Sequence, residues 1–447
     1  MSEQLALLGG NKTIEKENEE LFKWPIITQE HEDAVIRVMR EENMSGLNIT
    51  KEFEEGYAKM LGKKYGLTSP NGTTAIKEAM FALGVGVGDE VIAPSITFWA
   101  SVLQVYNLGA TPVFADIDPD TLCIDPNDIE HRITENTKLI VITHYGGMPA
   151  DMDAIMEIAR RHNIKVLEDC SHAHGALYKG KEVGTIGDVG AFSLMSVKSF
   201  AIGEAGIFVT DDRTVYDRAL LYGHYLRHDE IESNDLKKYT GMPCGAHKNR
   251  LNQITAAFGL VQLKKYPEQM AEIDKAMNYF CDQLEDVPGI KPIRPEKNSG
   301  STKGGWYYPL FKYVPDELEG LSLTRFARAV NTEGSHCSPG ATAPMHLHPA
   351  LTEMDIYGHG KPTRIANYKG DNPDVLLHQS LPVSESINPF AFEVPWFKHF
   401  WKEEIDKHVE AYKKVSENYK LLLEDDNKEL DKRIGAYSSA FSSMDDY

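Results

Sequence analysis

Residues 165–212 read KVLEDCSHAHGALYKGKEVGTIGDVGAFSLMSVKSFAIGEAGIFVTDD, and three short apolar runs in this stretch decide the fold. Lys165–Glu168, Gly190–Leu194 and Gly206–Thr210 have the length and apolar density of buried strands, and glycine or acidic residues close each one. Just upstream, Pro149–His162 repeats its apolar residues at helical spacing, so a helix leads into the first run. The alternation extends further back. A helix near Thr73–Ala82, a strand at Glu90–Ala93, a helix from about Phe98, and strands at Pro112–Ala115 and Leu139–Thr143 follow one another. This rhythm predicts an α/β fold with a mainly parallel sheet between helices. In such sheets ligands gather beyond the carboxyl ends of the strands, so polar residues that directly follow the apolar runs are the first candidates for chemistry.

Lys198 lies on a loop between the second and third runs, with Gly203, Glu204 and Gly206 behind it. Most lysines are solvated surface charges. A lysine desolvated on such a loop has a lowered pKa, which frees a neutral amine for Schiff-base chemistry. The first run ends in Glu168 and Asp169. Acids at strand ends commonly stay solvated or cap helices, but a pyridoxal cofactor needs a carboxylate in this kind of place to keep its ring nitrogen protonated. Asp169 is the candidate, with His172 as a partner for the ring hydroxyl.

Two further segments fit the same chemistry. SPNGTTAIKEAM, residues 69–80, opens a helix with Asn71, Gly72, Thr73 and Thr74, whose free backbone N–H groups and hydroxyls suit a phosphate; ordinary N-capping explains the same letters. Ser193 offers another hydroxyl to that phosphate. PSITFWAS, residues 94–101, puts Phe98 and Trp99 at a strand-to-helix junction, where an aromatic face stacks on a cofactor ring or packs in the core. Two other motifs do not carry function. In GVGVGDE, residues 84–90, the glycines precede the strand, so the dinucleotide-binding geometry fails. In PMHLHPAL, residues 344–351, His346 and His348 have no accompanying acid or cysteine cluster, so no metal site is expected.

The whole chain bounds the partners. Its 447 residues and 42% hydrophobic content supply one large and one smaller domain. A helix from about Asn252 to Lys265 leads toward the Pro- and charge-containing stretch Asp286–Gly305. Residues 1–285, with an N-terminal arm, therefore form a large cofactor-binding domain. Residues 286–447 form a smaller C-terminal α/β domain, with helices in TRFARAVNTEG and EEIDKHVEAYKKVSENYKLLL, that ends in the polar tail SSAFSSMDDY. The net charge of −20 repels nucleic acid and anionic membranes. The N-terminus carries no secretion signal and no apolar stretch is long enough to span a bilayer, which makes the cytoplasm the expected location. Cys123, Cys170, Cys244, Cys281 and Cys337 have no paired spacing, so they are expected to be reduced and mostly buried.

Taken together, NGTTAIKEAM, GDEVIAPSITFWAS, GATPVFADIDPDT, the 167–193 block, KSFAIGEAGIFVTDD and PMHLHPAL resemble the DegT/StrS-type sugar aminotransferases, pyridoxal-phosphate enzymes of fold type I, over about Trp24 to Leu423. The resemblance implies Lys198 as the cofactor lysine, Asp169 at the pyridine nitrogen, His172 beside the ring and Phe98 stacked on it. It also implies phosphate contacts from Gly72, Thr73 and Ser193. HKNRLNQITAAFGLVQL matches the region that reaches the neighbouring subunit's cofactor in family homodimers; within it Lys248 stands where the family commonly has Asn, and the resemblance implies that it meets that cofactor's phosphate. The turn reads GEAG where members commonly read GEGG. Related sugar dehydratases carry histidine in place of the lysine, so Lys198 favours transamination. The implied reaction moves an amino group from glutamate or glutamine to a keto-cyclitol or keto-sugar. A nucleotide-linked keto-sugar is the second choice, and a dehydratase or a non-catalytic regulatory homologue are the rivals.

Overall fold

The computed structural model describes residues 4–434; the polar tail read at 438–447 lies outside the described residues. Two helices, α1 (Gln29–Arg40) and α2 (Asn48–Met60), precede the first strand, β1 (Tyr65–Ser69). Then follow α3 (Gly72–Ala82), β2 (Glu90–Pro94), β3 (Thr111–Ala115), α4 (Pro126–Arg132), β4 (Thr137–Thr143), α5 (Met152–His162) and β5 (Lys165–Asp169). A two-stranded hairpin, β6 (Leu177–Tyr178) and β7 (Lys181–Glu182), leads to β8 (Val189–Ser193) and β9 (Gly206–Thr210). The seven-stranded sheet has the order β1-β9-β8-β5-β4-β2-β3. Neighbours from β8 through to β3 run parallel, while β9 is antiparallel to both β8 and β1. The mainly parallel sheet expected from the βα rhythm is thus present. Its central strands are apolar on both faces because helices cover both. α5 shows how: Ile155, Ile158 and Ala159 turn inward, Asp151 accepts the Ala154 N–H, and Asn163 ends the helix in left-handed conformation.

Two local readings differ from the structure, and one strand, β1, is not marked in the sequence. The helix expected from Phe98 is instead two 3-10 segments, Trp99–Ser101 and Leu103–Leu108. Thr97 and Ser101 spend their hydroxyls on buried neighbours, which competes with regular helix. β1 carries no strong apolar signal of its own and becomes a strand by pairing with β9. The helix expected to end near Lys265 continues through Pro267 to Leu284, as a 32-residue α8 (Gln253–Leu284) beyond α6 (Arg213–Gly223) and the short α7 (Asn234–Lys237). An interior proline costs about 3 kcal/mol; burial of Ile273, Met277, Phe280 and Leu284 beyond it offsets that.

Those four residues belong to a second core, built on the antiparallel sheet β10 (Ile290–Pro292), β11 (Leu310–Tyr313), β12 (Ser338–Pro339) and β13 (Ala391–Glu393), in the order β10-β11-β13-β12. α9 (Leu323–Thr332) and the helix Lys402–Glu417 cover this sheet with Phe326, Val330, Ile405, Val409 and Tyr412. The packing does not divide at residue 285. Leu5 and Leu21 of the N-terminal arm lie in the second core, and Ala341, Met345, Ile365 and Leu381 return to the cores around the large sheet. Tertiary contact decides this partition, and chain order does not reveal it.

Glu168, fully buried near the end of β5, ties the sheet to the loop before β8. Its carboxylate accepts the N–H groups of Gly184, Ile186 and Gly187 at 2.7, 2.8 and 2.6 Å and pairs with His144 Nε2 at 3.0 Å. Burial opposes its charge, yet the His144 bond and the glycine amides hold its pKa below the usual carboxylate value. Replacing Glu168 with alanine strands these donors, at an expected cost of about 3–5 kcal/mol, read as a lower denaturation midpoint. Because the folded pKa is depressed, the native side chain's contribution is present above the unfolded carboxyl value and fades as pH falls through the folded one. The native and Glu168→Ala midpoints should therefore converge in acid.

Candidate active site

The carboxyl ends of β4, β5 and β8 and the start of α3 open into one cavity of about 340 Å³, and Asp169, Lys198, His172, Ser193, Gly72, Thr73 and Phe98 all line it. Seven of the eight residues expected in the site are thus brought together. At the end of β5, Asp169 is 4% exposed. Ser101 Oγ donates to its Oδ2 at 2.6 Å and the Ser171 N–H donates to its Oδ1 at 3.0 Å. Behind Ser101, the Thr97 hydroxyl lies 3.0 Å from those of both Ser101 and Thr143, so a file of hydroxyls fixes the carboxylate from the sheet side. Two hydrogen bonds leave a carboxylate further acceptor capacity, and the cavity is where Asp169 has room to use it.

Lys198 stands opposite. Its loop closes through Lys198 N–H to Met195 O at 2.8 Å and Ile202 N–H to Leu194 O at 2.9 Å, while the Trp24 indole N–H donates to the Lys198 carbonyl at 2.8 Å. The residue is 7% exposed, and the amine lies 3.8 Å from the centre of the Tyr307 ring. Burial pulls its pKa down to about 8, against the raising influence of Asp169. Near neutral pH a real fraction of Lys198 is thus free amine. His172 is held well below its ordinary pKa by burial and by the Lys198 charge, so its ring is neutral; its Nδ1 accepts the Gly146 N–H at 3.4 Å.

The start of α3 supplies an anion cradle. Asn71 caps the helix, accepting from the Thr74 N–H and hydroxyl at 2.9 Å each, and leaves the Gly72 and Thr73 N–H groups pointing off the helix end. Gly72 is obligatory on space: a Cβ there would meet Ser193 Cβ at 2.6 Å and its Cα at 2.8 Å. That close approach sets the Ser193 hydroxyl beside the helix end. Capping and an anion site therefore coexist in one motif. On the opposite side Phe98 is half-buried against Trp99 at 4.8 Å between ring centres.

Sequence reasoning missed several lining residues: Thr97, Ser101, Ser171, Thr342, Tyr307 and Tyr308. The i,i+4 spacing of Thr97 and Ser101 was a usable sign. Nothing local marked Tyr307, which comes from the loop before β11. There Trp306 and Tyr308 take the left-handed conformation, with φ of 54° and 59°, costly for bulky residues. The Trp306 indole donates to Asp274 at 2.7 Å, and the Trp396 indole donates to Gly305 O at 3.0 Å. These contacts hold the loop against the cavity. Lys248 is the expected residue that its own chain does not bring there. It is exposed beside Arg250, because the Asn249 N–H is bonded to Gly223 O at the end of α6, away from the strand ends.

The set-aside motifs have structural partners. His346 bridges Ser95 at 2.7 Å and Glu385 at 3.1 Å, His348 caps its own short helix, and the glycines of GVGVGDE form the turn before β2, with Gly86 N–H bonded to Asp89. Among the described residues His144, Glu168 and Cys170 bring potential metal ligands together, but Glu168 is already committed to three amides and His144. Four of the cysteines are buried, Cys244 is exposed and all are free thiols. No helix among the described residues is long and apolar enough to cross a membrane.

A buried lysine of lowered pKa, a buried carboxylate, an aromatic face and a helix-end anion cradle around one cavity fit pyridoxal phosphate group by group. With the sheet topology they define a pyridoxal-phosphate enzyme of fold type I. Residues 25–367 match the DegT/DnrJ/EryC1/StrS aminotransferase family, and the chain belongs to that family of pyridoxal-phosphate-dependent aminotransferases. It is 33% identical, across 94% of its length and 99% of the relative's, to a Micromonospora echinospora protein named as a candidate L-glutamine:3-amino-2,3-dideoxy-scyllo-inosose aminotransferase. It is 41% identical to GDP-perosamine synthase of Escherichia coli O157:H7 across 77% of this chain and 90% of that one. An aminotransferase from Psychrobacter cryohalolentis superposes with a TM-score of 0.77 at 31% identity, covering 89% of this chain and 99% of that chain.

Two outcomes follow from this geometry. Amine-selective labelling of Lys198 in the cofactor-free protein should rise with a midpoint near pH 8, and its appearance only near the ordinary lysine value of about 10.4 would contradict the burial described. Gly72→Ala should force α3 away from Ser193, costing about 1–3 kcal/mol in stability and weakening retention of pyridoxal phosphate in equilibrium dialysis.

Proposed function

We propose that this aminotransferase takes an amino group from glutamine or glutamate and delivers it to a keto-cyclitol or keto-sugar. The observation that carries the reading is the placement of Lys198 and Asp169, both buried, in a single cavity. When bound, pyridoxal phosphate supplies an aldehyde that condenses with primary amines and a ring that draws electrons from the neighbouring carbon.

Each residue's task follows from its chemistry. Lys198 Nζ is the amine that would hold the cofactor and, once free, would accept and return the proton of the donor's amine-bearing carbon. A pKa of about 8 suits both directions of that transfer near neutral pH. Asp169 keeps a proton on the ring nitrogen, and its hydroxyl file prevents it from turning away. Phe98 offers its face to the ring, His172 meets the ring hydroxyl as a neutral imidazole, and Gly72, Thr73 and Ser193 bind the phosphate.

The acceptor is assigned by likeness. The Micromonospora relative's name specifies an amino-cyclitol ketone and L-glutamine, and near-complete coverage of both chains favours a cyclitol over the nucleotide-linked sugar in the other relative's name. In this reading the protein acts in the cytoplasm as a homodimer, and Lys248, exposed on its own chain, meets the cofactor phosphate of the second subunit. Lys198 in place of histidine separates it from the dehydratases on the same scaffold.

The test is spectroscopic. Protein supplied with pyridoxal phosphate should show a visible band that is absent from Lys198→Ala, and glutamine or glutamate should replace it with the band of the pyridoxamine form. A band indifferent to both donors would overturn transamination. Turnover of a keto-cyclitol, measured against a nucleotide-linked keto-sugar, then separates the two acceptor classes.

A further inference from the structure

The contact that holds Lys198 from behind comes from Trp24, one residue before the family match begins at residue 25. The Trp24 indole N–H donates to the Lys198 carbonyl at 2.8 Å, the one hydrogen bond among the described residues that reaches the backbone of this lysine from a distant segment. The Trp24 ring lies 6.4 Å from that of Trp396, which meets the Tyr307 ring edge-on at 5.5 Å. Tyr307 is the ring over which the Lys198 amine rests. The backbone and the amine of Lys198 are therefore gripped by the two ends of one aromatic file.

The arm that carries Trp24 is firmly based. Leu21 is buried in the second core, and its carbonyl accepts the Lys398 N–H at 2.9 Å. The outer side of Trp24 and Trp396 borders an open hollow of about 720 Å³, whereas the Lys198 cavity lies on the Tyr307 side. The two indoles thus form a partition between a solvent-filled surface and the buried lysine. Removing it lets water approach the Lys198 loop and lessens the desolvation that lowers its pKa.

We propose that Trp24 is a positioning residue for Lys198: its indole pins the lysine's backbone and, with Trp396 and Tyr307, keeps water from the amine. Trp24 does not touch the reacting atoms; it acts through Lys198. The proposal rests on reading Lys198 as the cofactor lysine.

Trp24→Phe deletes the N–H and keeps a ring, while Trp24→Ala also opens the partition. In Trp24→Phe, amide hydrogen exchange should quicken at residues 196–200 and stay unchanged in β5 and β8. Retention of pyridoxal phosphate, measured by dialysis, should weaken about tenfold, the loss of one net hydrogen bond. In Trp24→Ala, the labelling midpoint of Lys198 in the cofactor-free protein should rise by about one pH unit as burial is relieved. A purely structural role predicts faster exchange throughout the large sheet and an unmoved midpoint, and that result overturns the proposal. If Trp24→Ala does not fold, Trp24→Phe decides through local exchange and retention. A cofactor band that survives in Lys198→Ala overturns both the reading and the proposal. A band that requires Lys198, with retention, midpoint and exchange unchanged in the Trp24 variants, overturns the proposal alone.

Discussion

The site depends on keeping one amine out of water. A lysine side chain carries a strongly hydrated point charge, and taking it into a poorly solvated pocket penalises the charged form. Burial brings Lys198 to a pKa of about 8, so that a real fraction of it is free amine near neutral pH. The surroundings answer to this constraint. Tyr307 covers the amine, His172 stays neutral beside it, and Asp169 supplies a negative charge in the same cavity without a direct ion pair that would restore the full ammonium. A close Lys–Asp salt bridge at this position would favour protonation and silence the nucleophile.

Keeping the amine dry requires that several chain segments converge on it, and the fold is arranged to make them converge. The parallel strands deliver Thr143, Asp169 and Ser193 to one edge, and α3 meets β8 closely only because residue 72 is glycine. The wall on the other side is contributed by the second core: the loop before β11, the segment after β13 and the N-terminal arm. The strained left-handed conformations at Trp306 and Tyr308 lie in that wall, tied down by indole hydrogen bonds to Asp274 and Gly305. Strain there is tolerated because the anchors over-determine it.

Much of the site was legible from the sequence because its chemistry follows strand ends. Asp169 directly follows an apolar run, Ser193 lies at the end of one, Lys198 sits on the loop behind it, and Gly72 and Thr73 open a helix, so local pattern pointed to them. Trp24 and Tyr307 were not legible, because each owes its place to a partner far along the chain: the carbonyl of Lys198 for one, the ring of Trp396 for the other. The segment after Phe98 misled for a related reason. Its letters suit a helix, but the Thr97 and Ser101 hydroxyls are claimed by Thr143 and Asp169, and the backbone tightened into 3-10 turns.

By itself the sequence determined the parallel α/β sheet, since period and apolar density are local properties of the chain, and with it the residues at the sheet's carboxyl edge. Only the tertiary structure decided where the cores divide, that α8 runs past Pro267, that the N-terminal arm packs with the second core, and that Lys248 faces away from its own chain's cavity. Those outcomes are set by which apolar surfaces find each other across hundreds of residues. Burial is a property of the assembled whole, so the lowered pKa of Lys198 belongs to the fold rather than to the letters around it.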